Sequence, residues 1–141
     1  MIGGVLNVSI PVVCLVDDDS SVRKSIVRLL EFAGFQVDAF GEPEAFLQHL
    51  EQHSVPLAVL DIWMENMTGM ELLAHLCAKS PATRIIFITG HEDQAAQTTV
   101  MQAGAFAFFL KPFDNVEFLS AVRCALNCAA AEEKDINPPV V

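Results

Sequence analysis

The chain has 141 residues, 52% of them hydrophobic, which is enough for one domain with a substantial core and leaves no room for a second ordinary domain. Its 18 acidic residues outnumber its 8 lysines and arginines, and the formal net charge of -10 argues against direct binding of a nucleic-acid backbone by this chain. The composition therefore favours proteins or cations as partners.

Short apolar runs alternate with stretches of helical period along the whole chain. This alternation is typical of βαβ units and predicts an α/β fold with a parallel sheet. The five runs of strand length are Val12–Val16, Gln36–Phe40, Leu57–Asp61, Arg84–Thr89 and residues 105–110.

Each predicted strand is followed by a predicted helix with a suitable first residue. In chain order these helices start at Ser20 or Ser21, at Pro43, at Thr68, within residues 93–103, and after Asp114. Asp19 is a candidate cap for the first helix, Gly34 its C-terminal glycine, and Thr68 with Glu71 a capping box. Residues expected to face the core include Ala45 in the second helix and, in the fifth, Val116, Phe118, Leu119, Val122 and Leu126.

The ends of the chain and its cysteines complete the predicted organisation. We expect an N-terminal extension over residues 1–10, one domain over 11–131, and a tail or linker over 132–141. Residues 1–8 lack the pattern of a signal peptide, and no apolar run approaches a membrane span. The cysteines form no CxxC or zinc-like cluster, which predicts reduced thiols and a cytoplasmic location: Cys14, Cys77, Cys124 and Cys128.

Reactive side chains stand where four of the predicted strands stop. Asp17 and Asp18 follow the first strand, Asp61 ends the third, Thr89 ends the fourth and Lys111 follows the fifth. The carboxyl ends of parallel strands share one edge of a sheet, so these side chains should converge there. Three carboxylates that lie close together repel one another and call for a cation, and an incomplete set of oxygen ligands suits Mg²⁺.

A carboxylate beside Mg²⁺, a hydroxyl and a lysine can attack phosphorus and hold the new phosphoryl oxygens. Asp61 is the predicted nucleophile, Asp17 and Asp18 would place the metal, and Thr89 and Lys111 would each engage a phosphoryl oxygen. Taken singly, each of these residues also fits a solvated turn, a helix cap or a surface charge.

The histidines and the single tryptophan leave alternatives open. His91 either screens the pocket or lies on the surface, and Trp63 either covers the site or simply packs. His49 and His53 share a helical face without an evident acidic ligand, and His75 is isolated. We assign none of these histidines to a metal.

Four segments together resemble the receiver domain of bacterial response regulators in two-component signalling, especially those joined to helix-turn-helix output domains. The segments are Val16-Asp17-Asp18-Asp19 with Val22-Arg23-Lys24-Ser25, Leu60-Asp61, Ile88-Thr89-Gly90-His91, and Ala103-Gly104-Ala105 leading to Lys111-Pro112-Phe113. The resemblance covers about residues 12–126.

The resemblance implies a flavodoxin-like sheet in the order 2-1-3-4-5 and a phosphoacceptor at Asp61. It also implies that Asp17 and Asp18 are acidic Mg²⁺ residues and that the Trp63 carbonyl binds the metal. The implied protein is not an enzyme apart from its own Mg²⁺-dependent phosphotransfer and autodephosphorylation at Asp61. Thr89 and Phe108 would be the switch pair, although Phe108 also suits plain packing against the fourth helix. The Lys111-Pro112 bond resembles the family's cis bond.

The implied partners are a sensor histidine kinase as phosphodonor, a second copy through the face made by the fourth helix, fifth strand and fifth helix, and a C-terminal DNA-binding output domain outside this chain. One departure stands after the phosphoacceptor, where Glu65-Asn66 replaces the family's usual Pro-Gly. This change restores an N–H and adds a negative charge, which predicts altered phosphorylation or Mg²⁺ affinity.

Two other functions are compatible with parts of the pattern. One is a module that keeps the fold and binds partners without phosphorylation; the Glu65 departure leaves it open, although such modules usually lack an acidic residue or the lysine and none is missing here. The other is a phosphatase with an aspartyl-phosphate intermediate, which would need a substrate cap for which the chain has little room.

Overall fold

The computed structural model describes residues 11–134, with side chains described over residues 11–127. Five parallel strands alternate with five helices, as predicted. The elements in chain order are β1 Val12–Val16, α1 Ser20–Phe32, β2 Gln36–Phe40, α2 Pro43–Leu50, β3 Leu57–Asp61, α3 Gly69–Lys79, β4 Arg84–Thr89, α4 Gln94–Gln102, β5 Ala107–Leu110 and α5 Asn115–Lys134.

The sheet has the order β2-β1-β3-β4-β5, which confirms the predicted flavodoxin-like topology. One hydrophobic cluster fills the face covered by α2, α3 and α4 and includes Phe46, Leu72 and Val100. A second fills the opposite face beneath α1 and α5 and includes Ile26 and Phe118. The chain leaves β1 and β3 in opposite directions along the sheet, so a crevice opens between their carboxyl ends.

The predicted helix starts coincide with real capping interactions. Asp19 accepts hydrogen bonds from the N–H groups of Ser21 and Val22 at 2.9 and 3.2 Å. Thr68 and Glu71 form the predicted capping box, with the Glu71 N–H donating to Thr68 Oγ1 at 3.1 Å. Local side-chain chemistry therefore determines where these helices begin.

Two residues expected to face the core point to solvent instead. Ala45 is exposed on α2, and Val116 on α5 is 77% exposed. Over residues 115–127 the buried side chains of α5 are Phe118, Val122 and Ala125, and Val116 lies two residues before Phe118, on the other side of the helix.

The fifth strand begins at Ala107, two residues later than predicted. The Ala105 N–H still donates to the Val100 carbonyl at the end of α4, and the Phe106 N–H donates to the Ile85 carbonyl at 2.7 Å. Ala105 therefore still belongs to the turn after α4, and hydrogen bonding to β4 begins at Phe106, one residue before β5.

The predicted domain limits, after residue 10 and after residue 131, can be compared with the structure only in part. The limit at residue 131 falls inside α5, which extends to Lys134. The predicted extension over residues 1–10 and most of the predicted tail lie outside the described residues, so the division into three segments stays a prediction. Within residues 11–134 no helix is long and apolar enough to cross a membrane, and the cytoplasmic location stays a prediction.

Candidate functional site

Three carboxylates meet in the crevice between β1 and β3. Asp17 and Asp18 follow β1 and Asp61 is the last residue of β3, and their ligand oxygens lie within 4.8 Å of one another. Asp17 is fully buried, Asp61 is 6% exposed, and Asp18 faces solvent. The structure thus brings the three predicted acidic residues together.

Lys111 supplies a positive charge to this cluster. Its Nζ donates to Asp17 Oδ2 at 3.0 Å and lies 3.5 Å from Asp61 Oδ2. Its backbone N–H donates to the Thr89 carbonyl at 2.7 Å, which ties the end of β5 to the end of β4. The Lys111-Pro112 bond is cis, as the resemblance implied.

One ammonium does not balance three carboxylates. Burial, and after it repulsion from Asp17, raises the pKa of Asp61 to about 6 against the opposing effects of Lys111 and the Trp63 N–H. A divalent cation beside Asp61 would favour the ionised form of this carboxyl group. The protein groups alone therefore leave an excess of negative charge in the crevice.

The donor atoms of the cluster fit Mg²⁺. All three side chains offer carboxylate oxygens, which are the ligands of hard cations, and the exposed position of Asp18 leaves room for the water ligands that Mg²⁺ retains. The Trp63 backbone lies beside Asp61, because its N–H donates to Asp61 Oδ1 at 3.3 Å. This contact places the Trp63 backbone N–H beside the carboxylates, and the role of its carbonyl as a metal ligand stays a prediction.

Thr89 lies at the end of β4, on the side of β3 opposite β1. Thr89 is fully buried at the end of β4, and its Oγ1 accepts a hydrogen bond from the His91 N–H at 3.2 Å. Trp63 and His91 line an open cavity of about 590 Å³ in front of α4. Trp63 is 39% exposed, so it is not a core residue.

Phe108 lies away from the carboxylates, in the middle of β5. Its ring is half-buried and packs against the cluster that contains Ala96 and Val100 of α4. This position suits both predicted roles, a switch residue and a packing residue.

Three contacts at the site were not anticipated from the sequence. Arg23 Nη1 donates to the Asp17 carbonyl at 2.7 Å, and the Glu65 N–H donates to Asp18 Oδ2 at 3.1 Å. Gly69 packs so closely that a Cβ there would lie 2.6 Å from the Asp61 carbonyl oxygen. Each contact had a signal in the sequence. Arg23 lies one turn into the helix that follows the acidic run, Glu65 has an N–H where the family has proline, and Gly69 is a glycine at the start of a helix.

The expectation that His49 has no acidic neighbour is wrong. His49 Nε2 lies 3.7 Å from Asp38 Oδ2, and Cys14 approaches the same point. Burial and the negative charge of Asp38 raise the pKa of the Cys14 thiol to about 12. The ligand atoms of Cys14, Asp38 and His49 also lie within 4.8 Å of one another, so a single cysteine joins this group and the cysteines form no cluster among themselves within the described residues.

Comparison with known proteins gives a consistent result. A family model described as the response regulator receiver domain matches residues 13–123. The response regulator TmoT of Ectopseudomonas mendocina is 33% identical over 88% of this chain and 56% of that protein. The transcriptional regulatory protein FixJ of Azorhizobium caulinodans is 37% identical over 84% of this chain and 56% of that protein.

A solved structure supports the same relationship. The CheY-like receiver domain from Methanospirillum hungatei superposes with a TM-score of 0.82 at 28% identity, over 88% of this chain and 99% of that one. The chain spans about half the length of the curated regulators it matches. Fold, site geometry and sequence agree, and the chain belongs to the response-regulator receiver domain family.

Proposed function

We propose that this domain is a phosphorylation switch in which Asp61 accepts a phosphoryl group from a sensor histidine kinase. The observation that carries the proposal is the position of the Asp61 carboxylate beside Asp17 and Lys111, in the crevice where the polar strand ends converge. Thr89 ends the adjacent strand, so a hydroxyl is available on the other side.

Asp17, Asp18 and Asp61, with the Trp63 carbonyl, would hold Mg²⁺. When bound, the ion would neutralise the crowded carboxylates and the charge that develops on the transferring phosphoryl group. Asp17 pairs with Lys111 and is buried, which makes it a fixed ligand, whereas Asp18 is exposed and held by the Glu65 N–H.

In the reaction, an Asp61 carboxylate oxygen forms a bond to phosphorus as the bond from phosphorus to the donor nitrogen breaks, and the released imidazole takes a proton from solvent. Lys111 lies 3.5 Å from Asp61 Oδ2, close enough for its ammonium to turn from the carboxylate to a phosphoryl oxygen. Thr89 Oγ1 would donate to a second phosphoryl oxygen after its own rotation.

The donor has a suitable approach beside Lys111. A groove of about 440 Å³ runs between α1 and the segment after β5, with Val22, Pro112 and Phe113 among its lining residues. An apolar face of a donor helix placed here would bring a phosphohistidine next to the crevice. The groove therefore supports a protein donor, and small phosphodonors would also reach the exposed Asp18 side.

The signal would leave through Thr89 and Phe108. Movement of Thr89 toward the phosphoryl group would vacate space at the end of β4, and the half-buried Phe108 ring would turn into it. The surface of α4, β5 and α5 would then differ between the two states and would engage a second copy or an output domain. Transcription is the proposed output, since the matched relatives include a transcriptional regulatory protein and extend well beyond this domain.

Incubation with Mg²⁺ and acetyl phosphate, followed by intact mass measurement, tests the proposal. The wild type should gain the mass of one phosphoryl group, Asp61→Asn should gain none, and the surface variant Asp114→Asn should behave as wild type. A wild type that binds Mg²⁺ but gains no mass with acetyl phosphate or with phosphoramidate would support the phosphorylation-independent module instead.

A further inference from the structure

Three side chains of different chemistry meet on the sheet face that α2 covers, away from the carboxylate crevice. They are Cys14 of β1, Asp38 of β2 and His49 of α2, and their ligand atoms lie within 4.8 Å of one another. Cys14 is fully buried, whereas the side chains of His49 and Asp38 are 18% and 42% exposed.

The fold itself produces this convergence. Cys14 and Asp38 are register partners in the parallel pairing of β1 with β2, so their side chains leave the same face of the sheet next to each other. The helix α2 then returns over that face and carries His49 to the pair. Three separate elements thus deliver one sulfur, one oxygen and one nitrogen to the same point.

The His49 ring is held in place at this point. Its Nε2 faces Asp38 Oδ2 at 3.7 Å, the Phe40 ring lies 5.2 Å from it, and the His53 ring stacks on it at 4.1 Å with an interplanar angle of 9°. His53 Nδ1 in turn lies 3.2 Å from the His49 carbonyl oxygen. The nitrogen that would bind a metal is therefore already oriented toward the carboxylate.

An ion pair between Asp38 and His49 explains two of the three side chains but not the thiol. Sulfur, imidazole nitrogen and carboxylate oxygen together are a zinc donor set, and the nitrogen and oxygen ligands of a tetrahedral Zn²⁺ are about 3.3 to 3.5 Å apart. The distance of 3.7 Å between His49 Nε2 and Asp38 Oδ2 is slightly longer, so only a small side-chain adjustment separates the two atoms from that geometry. The half-exposed Asp38 leaves an entry path from solvent and a fourth position for water.

We propose that Cys14, Asp38 and His49 form a second metal site that takes Zn²⁺. A sulfur ligand selects a softer cation than the all-oxygen crevice does, so the two sites discriminate between Zn²⁺ and Mg²⁺. On binding, the Cys14 thiol forms a bond from sulfur to zinc and releases its proton to solvent. The bound ion joins edge strand β2 and helix α2 to β1. Its ligand in β1, Cys14, lies three residues before Asp17 of the carboxylate crevice.

Co²⁺ as a spectroscopic substitute for Zn²⁺ tests this site. The experiment uses the intact chain with excess Mg²⁺ to saturate the carboxylate crevice, and with Cys77, Cys124 and Cys128 changed to Ser. We expect one equivalent of Co²⁺ to produce the absorption of a thiolate bound to tetrahedral cobalt, and Zn²⁺ to abolish that absorption by displacement.

Two variants and one control assign the ligands. Cys14→Ala should lose the thiolate absorption, and His49→Gln, a change at a partly exposed position, should lose it and weaken Zn²⁺ binding by at least the roughly 10- to 100-fold that follows loss of a residue supporting a metal ligand. His75→Gln, an exposed histidine on α3, should retain wild-type behaviour. No thiolate absorption in the parent protein, or absorption that persists in His49→Gln, would overturn the proposal, whatever the outcome of the phosphorylation test.

Discussion

Asp61 carries a negative charge that the folded domain accommodates poorly when no cation is present. The raised pKa of about 6 means that the folded state binds this proton more tightly than the unfolded chain does. The stabilisation that belongs to the protonated form is therefore complete below about pH 4 and is lost as the pH rises through about 6.

Because ionisation of Asp61 lowers the stability of the folded domain, we expect Asp61→Asn to stabilise the domain at neutral pH in the absence of divalent ions. The gain should be roughly 1 to 3 kcal/mol near pH 7 and should shrink toward pH 4, because a shift of about two units corresponds to about 3 kcal/mol at most. Urea unfolding with a chelator at several pH values measures it, with Asp114→Asn as the surface control. An Asn variant less stable than wild type near pH 7 would contradict the electrostatic description of the crevice.

The Glu65 backbone N–H has a role that the family's usual proline could not perform. It donates to Asp18 Oδ2, so Glu65→Pro removes a donor that orients this carboxylate, whereas Glu65→Gln keeps the donor and removes only an exposed charge. We expect Glu65→Pro to raise the Kd for Mg²⁺ severalfold and Glu65→Gln to change it less than about twofold. Fluorescence of Trp63, the single tryptophan, during Mg²⁺ titration measures both. Equal Kd values in the two variants would show that the N–H is unimportant.

At the scale of elements, the contact of α3 with the end of β3 positions Asp61. A Cβ on Gly69 would lie 2.6 Å from the Asp61 carbonyl oxygen and 2.8 Å from Ile62 Cα, both of them backbone atoms that cannot move aside cheaply. Gly90, after β4, has no atom within 4 Å of an added Cβ.

This difference predicts that two Gly-to-Ala changes affect stability unequally. Gly69→Ala should destabilise the domain by roughly 1 to 3 kcal/mol through overpacking, and Gly90→Ala should change stability by less than about 0.5 kcal/mol. Chemical denaturation compares the two variants directly. A neutral Gly69→Ala would mean that α3 can shift without disturbing the carboxylate crevice.

Elements and caps could be predicted from the sequence because their signals are local. An apolar run that ends in Asp61, or Asp19 before a helical period, is readable within a few residues. The cluster of Cys14, Asp38 and His49 could not be predicted in this way, because it depends on the register of β1 with β2 and on the path of α2 across the sheet. The apolar side chain of Val116 suggested burial, although a residue two positions before Phe118 falls on the opposite side of α5.

At the scale of the whole molecule, Mg²⁺ should couple to global stability because only the folded chain assembles the three carboxylates. At about ten times its Kd, Mg²⁺ should add roughly 1.4 kcal/mol and raise the Tm by a few degrees. Asp18→Asn should lose this gain, and Asp19→Asn should keep it, because Asn also caps α1 well. A gain that survives Asp18→Asn would place the ion elsewhere.

The central claim is that Asp61 becomes phosphorylated, and chemical trapping tests it most directly. After reaction with Mg²⁺ and acetyl phosphate, borohydride reduction converts an aspartyl phosphate to homoserine, which peptide mass spectrometry assigns to one position. The proposal predicts homoserine at position 61 and at none of the acidic residues of the crevice beside it. Homoserine at Asp17 or Asp18, or at no position in a protein whose intact mass had increased, would contradict it.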